Sequence, residues 1–346
     1  MNAVRIVLDL GLMGVSLVAS ALGGGLPGPH DALVAAGPQA AEIGRLWNLV
    51  LGVCVAVGLA VLAVFAFAVW RAGRADAATP ADVSVLERHE PGPMRGVVGG
   101  AAVSTVLLLC LVVASVWTDR ALARLSLQDA VQLQVIGHQW WWEAQYAGAV
   151  ESDSFTTANE LHVPVGRPVL VTLHADDVIH SLWVPNLAGK KDLIPGRTAV
   201  MPLRADHAGI YRGQCAEFCG LQHATMAFQV IADPPEQYAA WLARQRAEAG
   251  EPGDALLRRG REVFLGAECV MCHAVRGTSA GARKAPDLTH VGSRLTLAAG
   301  TLVNDAAQMK RWIRNPQAVK PGSNMPGSSL GEADLDALVA WLGSLK

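Results

Sequence analysis

Two long uncharged runs restrict this chain more than any other feature of it. From Leu46 to Trp70, and again from Val97 to Trp117, no Asp, Glu, Lys or Arg occurs. A helix of about 20 apolar residues crosses the roughly 30 Å hydrocarbon layer of a bilayer. Lipid leaves a single unpaired segment no other way to satisfy its backbone polar groups. Arg45 and Arg71 bracket the first run, and Arg95 and Asp119 the second. Trp47, Trp70 and Trp117 fall at the ends, where amphipathic rings favour the interface. These features predict a two-helix transmembrane hairpin over residues 41–120, with spans of about 46–70 and 97–117. The connecting loop carries Arg71, Arg74, Arg88 and Arg95. Short arginine-bearing loops stay in the cytoplasm, which sends everything after Trp117 to the outer side. Upstream, residues 1–22 read as a signal peptide: Arg5, an apolar stretch, then Ala19-Ser20-Ala21. Asp9 interrupts that stretch, so an uncleaved interfacial or third membrane helix is the alternative.

Composition agrees, with 51% hydrophobic and only 17% charged residues. The net charge of −2 favours neither nucleic acid nor an anionic membrane surface as a partner. Residues 128–232 alternate short β-rich runs with Gly, Pro, Asp and Asn, among them 169–173, 199–203 and 227–231. That spacing predicts a β-sandwich. Residues 233–253 form a Pro-bounded connector with a helical segment around Tyr238 to Glu248. From 254 to 346 the pattern is helical, starting with an amphipathic stretch from Asp254 to Leu265 and ending with apolar residues at 335, 338, 339 and 342.

The six cysteines form three unlike pairs. Cys54 and Cys110 lie in the apolar runs and behave as small hydrophobes. Cys215-Ala-Glu217-Phe-Cys219-Gly-Leu-Gln-His223-Ala-Thr-Met226 packs soft and borderline donors into twelve residues. Thiolate and thioether sulfur select copper, and imidazole is compatible with it. A single blue copper needs one Cys; two bridging thiolates would accommodate a pair of copper ions. Zinc suits the Cys and His, but a thioether is a poor zinc ligand. A second imidazole is needed. His180, in Asp176-Asp177-Val-Ile-His180-Ser-Leu-Trp183, is the best candidate, with His162, His174 and His207 as competitors.

The twelve-residue motif, His180 and the string Gly137-His-Gln-Trp140-Trp141-Trp142 together resemble cytochrome c oxidase subunit II. The resemblance implies a cupredoxin-like domain holding dinuclear copper A. Carried over, Cys215 and Cys219 are bridging thiolates, His180 and His223 terminal imidazoles, Met226 a weak ligand, and Glu217 a carbonyl ligand. The Glu217 side chain would reach a magnesium ion at the boundary with subunit I, and Trp140 would admit electrons. Structurally, the three tryptophans could instead anchor the domain on the membrane. The stretch Ala36-Gly-Pro-Gln-Ala-Ala41 before Leu46-Trp47 also resembles the family's approach to its first helix. One departure is the segment before the second span, residues 86–95, which lacks the family's usual pattern for a proton-uptake glutamate and leaves Glu87 or Glu90 as the candidates for that role.

Cys269-Val-Met271-Cys272-His273 is a c-type haem attachment motif. Its thiols add to haem vinyls and its histidine binds iron. With Ala285-Pro-Asp-Leu288, Trp312-Ile-Arg-Asn315-Pro316 and Lys320-Pro-Gly-Ser-Asn-Met325-Pro326, the run looks like a class I cytochrome c. Met325 is the expected sixth iron ligand, since a Met/His pair raises the potential. Met309 has core spacing, Met271 sits inside the motif, and His290 is the histidine competitor. A thioredoxin-like reading lacks the surrounding βαβ pattern.

The expected chain is therefore a membrane-anchored multidomain protein: hairpin, cupredoxin-like sandwich and all-α class I cytochrome c domain. Its expected role is electron input to a haem–copper oxidase, with haem c held near copper by a tether of some twenty residues. Expected partners are oxidase subunit I and other oxidase subunits, with cytochrome c or a bc1-type complex upstream. The expected setting is the bacterial inner membrane, with the metal domains in the periplasm. Alternatives are the copper subunit of a nitric oxide reductase and a stand-alone membrane-anchored carrier.

Overall fold

The computed structural model describes residues 30–72, 91–148, 150 and 153–346. The expected signal peptide, Glu87 and Glu90 lie outside them. The chain divides into two compact units, one of Ala41–Leu125 and one of the segment up to Ala40 with Ser126–Lys346.

The helical unit is built on α1 (Pro38–Arg71) and α2 (Pro91–Leu122). Both are long and apolar enough to cross a membrane, with window hydropathies of 2.9 and 2.6. Each helix outruns its uncharged stretch, because backbone hydrogen bonding continues into the flanking residues. Leu59, Phe65, Val106 and Leu109 are exposed along them, an arrangement that suits lipid rather than water.

The second unit begins with a strap that hydrogen-bonds to two later loops. Ala36 N–H donates to the Asn186 carbonyl (2.7 Å), and Asp206 N–H to that of Ala36 (2.8 Å). A Cβ on Gly37 would lie 2.9 Å from the Leu187 carbonyl oxygen, so only glycine fits.

The sandwich comprises β1 (Val131–His138), β2 (Trp141–Tyr146), β3 (Phe155–Ala158), β4 (Glu160–Pro164), β5 (Val169–Ala175), β6 (His180–Trp183), β7 (Lys190–Leu193), β8 (Ala199–Leu203), β9 (Gly209–Cys215) and β10 (Ala227–Asp233). One sheet runs β3-β2-β1-β5-β8 and the other β4-β10-β9-β6-β7. Alternate residues of β1 and β5 turn inward. Val135, Trp142, Leu173, Leu182 and Phe228 fill the space between the sheets.

The connector is not a free tether. Helix α3 (Pro235–Arg246) starts three residues before the expected segment, with Pro235 in its first turn, where no N–H is needed. Its Tyr238 and Trp241 join the sandwich core. Trp241 stacks on His162, ring centroids 4.1 Å apart. Beyond the helix, Ala249 N–H donates to the Arg276 carbonyl (3.0 Å), and the Arg276 guanidinium reaches the Gln245 carbonyl.

The C-terminal domain comprises α4 (Ala255–Gly266), α5 (Ala306–Arg314), α6 (Glu332–Ser344) and a small hairpin of β11 (Thr296–Leu297) and β12 (Leu302–Val303). Asp254 and Asp305 cap α4 and α5 by accepting from Leu257 and Gln308 N–H, each 2.8 Å. Gly260 meets Ala337 and Trp341 where α4 crosses α6, and Phe264 packs on Trp341.

Candidate functional site

Strand pairing gathers the soft donors. Leu182 pairs with Cys215 across β6 and β9, so His180 and Cys215 share one end of the sheet. The β9–β10 connection carries Cys219, His223 and Met226, and closes where Cys215 N–H donates to the Met226 carbonyl (3.0 Å). Gly137 lets β1 approach: a Cβ there would lie 2.8 Å from the His180 ring.

Cys215 and Cys219 are buried, free, and 3.8 Å apart at sulfur. His180 Nδ1 lies 3.9 Å from Cys215 Sγ, and His223 Nδ1 3.6 Å from Cys219 Sγ. Met226 Sδ, fully buried, lies 3.7 Å from Cys219 Sγ. The Glu217 carbonyl oxygen lies 3.2 Å from Cys215 Sγ, while the residue itself is exposed. His180, Cys215 and Cys219 place their donor atoms within 4.8 Å of one another. Two adjacent thiols, each facing one imidazole, with a thioether at the edge, make a donor set that fits a copper pair better than one zinc ion. The hydrogen bond between the thiols holds Cys215 far below the usual thiol range and pushes Cys219 up.

The competing histidines are used elsewhere. His162 pairs with Asp233 at 2.6 Å, and His207 is exposed beside Tyr211. His174 sits within β5, paired with β1 rather than with the copper loop. Sequence reasoning missed Asp177, which accepts from His180 Nε2 at 2.8 Å and from Gln139 N–H at 2.6 Å. Burial alone would lower His180, yet its hydrogen bonds to Asp177 and Cys215 leave it raised. The adjacent Asp176-Asp177 before His180 was the available signal.

The three tryptophans do different work. Trp142 is fully buried in the core, Trp141 stacks on His138 at 4.3 Å, and Trp140 turns to the copper loop. Trp140 Nε1–H donates to the Cys219 carbonyl at 2.9 Å, as does the Gln139 amide at 2.7 Å.

In the C-terminal domain, Cys269 and Cys272 are free and half-buried on one tight turn. His273 N–H donates to the Cys269 carbonyl at 3.0 Å, which sets both thiols and the imidazole on consecutive bends. His273 Nδ1 lies 2.7 Å from the Pro286 carbonyl, so it carries the proton and leaves Nε2 as the free donor atom. Burial lowers the His273 pKa, which favours its neutral form. Met325 and Cys269 pack against the same core. Gln317 holds the Met325 loop by donating to its carbonyl at 3.2 Å and accepting from Gly322 N–H at 2.8 Å. Met309 is buried in the core, Met271 is 67% exposed, and His290 Nε2 bonds the Ala247 carbonyl at 3.1 Å. Vinyl-reactive thiols beside a neutral imidazole suit covalent haem.

Residues 131–232 match the family model described as cytochrome c oxidase subunit II, periplasmic domain, and residues 257–346 match that for cytochrome c. Cytochrome c oxidase subunit 2 of Alkalihalophilus pseudofirmus is 43% identical over 219 residues, which cover 63% of this chain and 62% of that relative. The chain thus spans about three-fifths of that protein's length. The Bacillus sp. strain PS3 counterpart is 34% identical over 260 residues, 70% of this chain and 71% of the relative. The crystal structure of the periplasmic domain of subunit II of cytochrome oxidase from Bradyrhizobium japonicum aligns with a TM-score of 0.32 and 27% identity, covering 34% of this chain and 93% of that one.

Proposed function

Because the chain belongs to the cytochrome c oxidase subunit 2 family, with a cytochrome c domain at its C-terminus, we propose that it is the electron-input subunit of a haem–copper cytochrome c oxidase. The observation that carries this reading is the pair of buried thiols 3.8 Å apart, each facing one imidazole nitrogen. Cys215 and Cys219 would supply the thiolates, and His180 and His223 the imidazoles, that hold a copper pair. Met226 and the Glu217 carbonyl would be its weaker donors. The exposed Glu217 carboxylate is free to reach a magnesium ion at the boundary with subunit I. Cys269 and Cys272 would hold haem c through its vinyl groups, and His273 and Met325 would be the donors to its iron. Bound there, the haem and the copper pair each accept and release one electron at a time.

The protein's own residues set the conditions for that exchange. Asp177 orients the His180 ring and fixes its tautomer through Nε2, leaving Nδ1 for metal. The Pro286 carbonyl does the same for His273 through Nδ1. Trp140, bonded to the Cys219 carbonyl, is the entry point for electrons on the copper side. The hairpin of α1 and α2 anchors the chain in the bacterial inner membrane and leaves both metal domains in the periplasm. Reduction of oxygen belongs to subunit I, and cytochrome c or a bc1-type complex supplies the electrons.

Metal analysis of the full chain, matured in the periplasm and purified in detergent, tests the reading. Two copper ions per iron are expected. A single copper, or zinc in its place, overturns it.

A further inference from the structure

Lys320 belongs to the C-terminal domain, on the loop leading to Met325, yet it is only 2% exposed. Its Nζ donates to the Trp140 carbonyl of the copper domain at 2.7 Å and to the Ala298 carbonyl of its own domain at 3.2 Å. A lysine on a Pro/Gly loop ordinarily extends into water. Here its partners are two carbonyls, one on each side of the domain boundary. Burial pulls its amino group down to about 7, and amine and ammonium alike keep two N–H donors for these bonds.

Other contacts converge on the same boundary. Gln222 Nε2 donates to the Pro321 carbonyl at 2.7 Å. A Cβ on Gly322 would meet Leu221 at 3.0 Å and Trp140 at 3.7 Å, so this loop lies directly on the copper-side surface. Ala298 and Ala299, at the tip of the β11–β12 hairpin, have φ of 52° and 57°. Left-handed backbone costs a non-glycine residue roughly 1–2 kcal/mol, and tertiary contacts must hold it. The contacts are present: the Ala298 carbonyl accepts from Lys320, and that of Ala299 from Ala227 N–H at 3.1 Å. At the hairpin base, the buried Glu160 carboxylate accepts from Leu295 N–H at 2.6 Å and Thr296 N–H at 3.3 Å.

We propose that Lys320 is a positioning residue: it clamps the haem domain onto the Trp140 face of the copper domain by bridging the Trp140 and Ala298 carbonyls. The two redox domains are thereby held at one fixed separation. The clamp stands on the interdomain geometry; only its consequence for electron transfer rests on the electron-input reading.

The test compares the full chain with Lys320→Met, which keeps the side chain's bulk and removes both donors. Ala227 and Leu295 N–H donate across the boundary, so their hydrogen exchange reports undocking directly. Exchange at these two amides is expected to accelerate at least about tenfold, while Val171 and Leu338 in the two cores stay protected. In the metal-loaded chain, haem-to-copper transfer after flash reduction is expected to slow at least about tenfold with both absorption spectra unchanged. Amides that keep their protection overturn the clamp; accelerated exchange with an unaltered transfer rate overturns its consequence for electron transfer. If the variant does not fold, acetylation of the unmodified chain decides. Lys320 is expected to react at least about tenfold more slowly than the exposed Lys190, Lys191 and Lys346, and equal labelling overturns the proposal. Exchange and labelling need no electron flow, so failure of the clamp is distinguishable from failure of the electron-input reading, which metal content tests.

Discussion

Replacing Asp177 by asparagine isolates the part of the copper site that the metal itself does not touch. The carboxylate makes three short contacts: Oδ1 to His180 Nε2 (2.8 Å) and Val178 N–H (2.6 Å), and Oδ2 to Gln139 N–H (2.6 Å). Burial would raise its pKa, yet these hydrogen bonds, that to His180 foremost, leave it lowered. In Asp177→Asn, Oδ1 can keep His180 and Val178, but the amide nitrogen then faces Gln139 N–H, donor against donor. An unsatisfied donor costs about 1–3 kcal/mol when buried. The Asp177 side chain is 32% exposed, which places the folding cost near the lower end, about 1–1.5 kcal/mol. Loss of a partner behind a metal-bound histidine typically lowers metal affinity about 10–100-fold. Because asparagine retains a neutral hydrogen bond to His180, a loss of about tenfold is expected, or about 1.4 kcal/mol. Competition against a copper chelator, with the haem spectrum as a folding control, measures it. An affinity within about twofold of the parent refutes the view that Asp177 orients a copper ligand.

Three further outcomes are expected from the same geometry. Cys215→Ser removes one of two thiols and should abolish the copper pair while leaving the haem spectrum intact; loss of both spectra refutes separate binding of the two groups. Met325→Ala should leave haem covalently attached with an open sixth position, and an unchanged spectrum would transfer the ligand role to Met309 or His290. Burial raises the pKa of Glu160 in the folded state. Its contribution is therefore fully favourable below the unfolded value of 4.5 and is lost as pH rises through the folded pKa. Glu160→Gln should accordingly gain stability relative to the parent between acid and neutral pH, read by denaturant unfolding across that range; a difference that does not vary with pH refutes it.

What was legible in the sequence is what chemistry forces into a short stretch. A copper pair needs two thiolates, an imidazole and soft neighbours within one loop, so 215–226 announces itself. Covalent haem needs two thiols and a histidine on consecutive bends, so 269–273 does too. Lipid needs two uncharged runs, and α1 and α2 contain them. His180 was harder, because its pairing depends on the β6–β9 register, which no local spacing encodes. The register brings it to Cys215 and sends His162 to Asp233 instead.

The contacts between domains were not legible at all, for a physical reason. Lys320 and Trp140 are 180 residues apart, and neither is unusual in its own stretch of sequence. A lysine between Val and Pro reads as solvated, and Ala298-Ala299 reads as an ordinary turn. Only when the hairpin tip meets Ala227 does its left-handed backbone find its partners, and only then is Lys320 buried. The same holds for the connector. By composition it is a twenty-residue tether, for which proximity would be a matter of effective concentration. With Trp241 stacked on His162 and Ala249 bonded to Arg276, proximity becomes fixed geometry. Electron transfer between two such domains would then follow one separation rather than an average over encounters, and its rate would be sensitive to a side chain that touches neither metal.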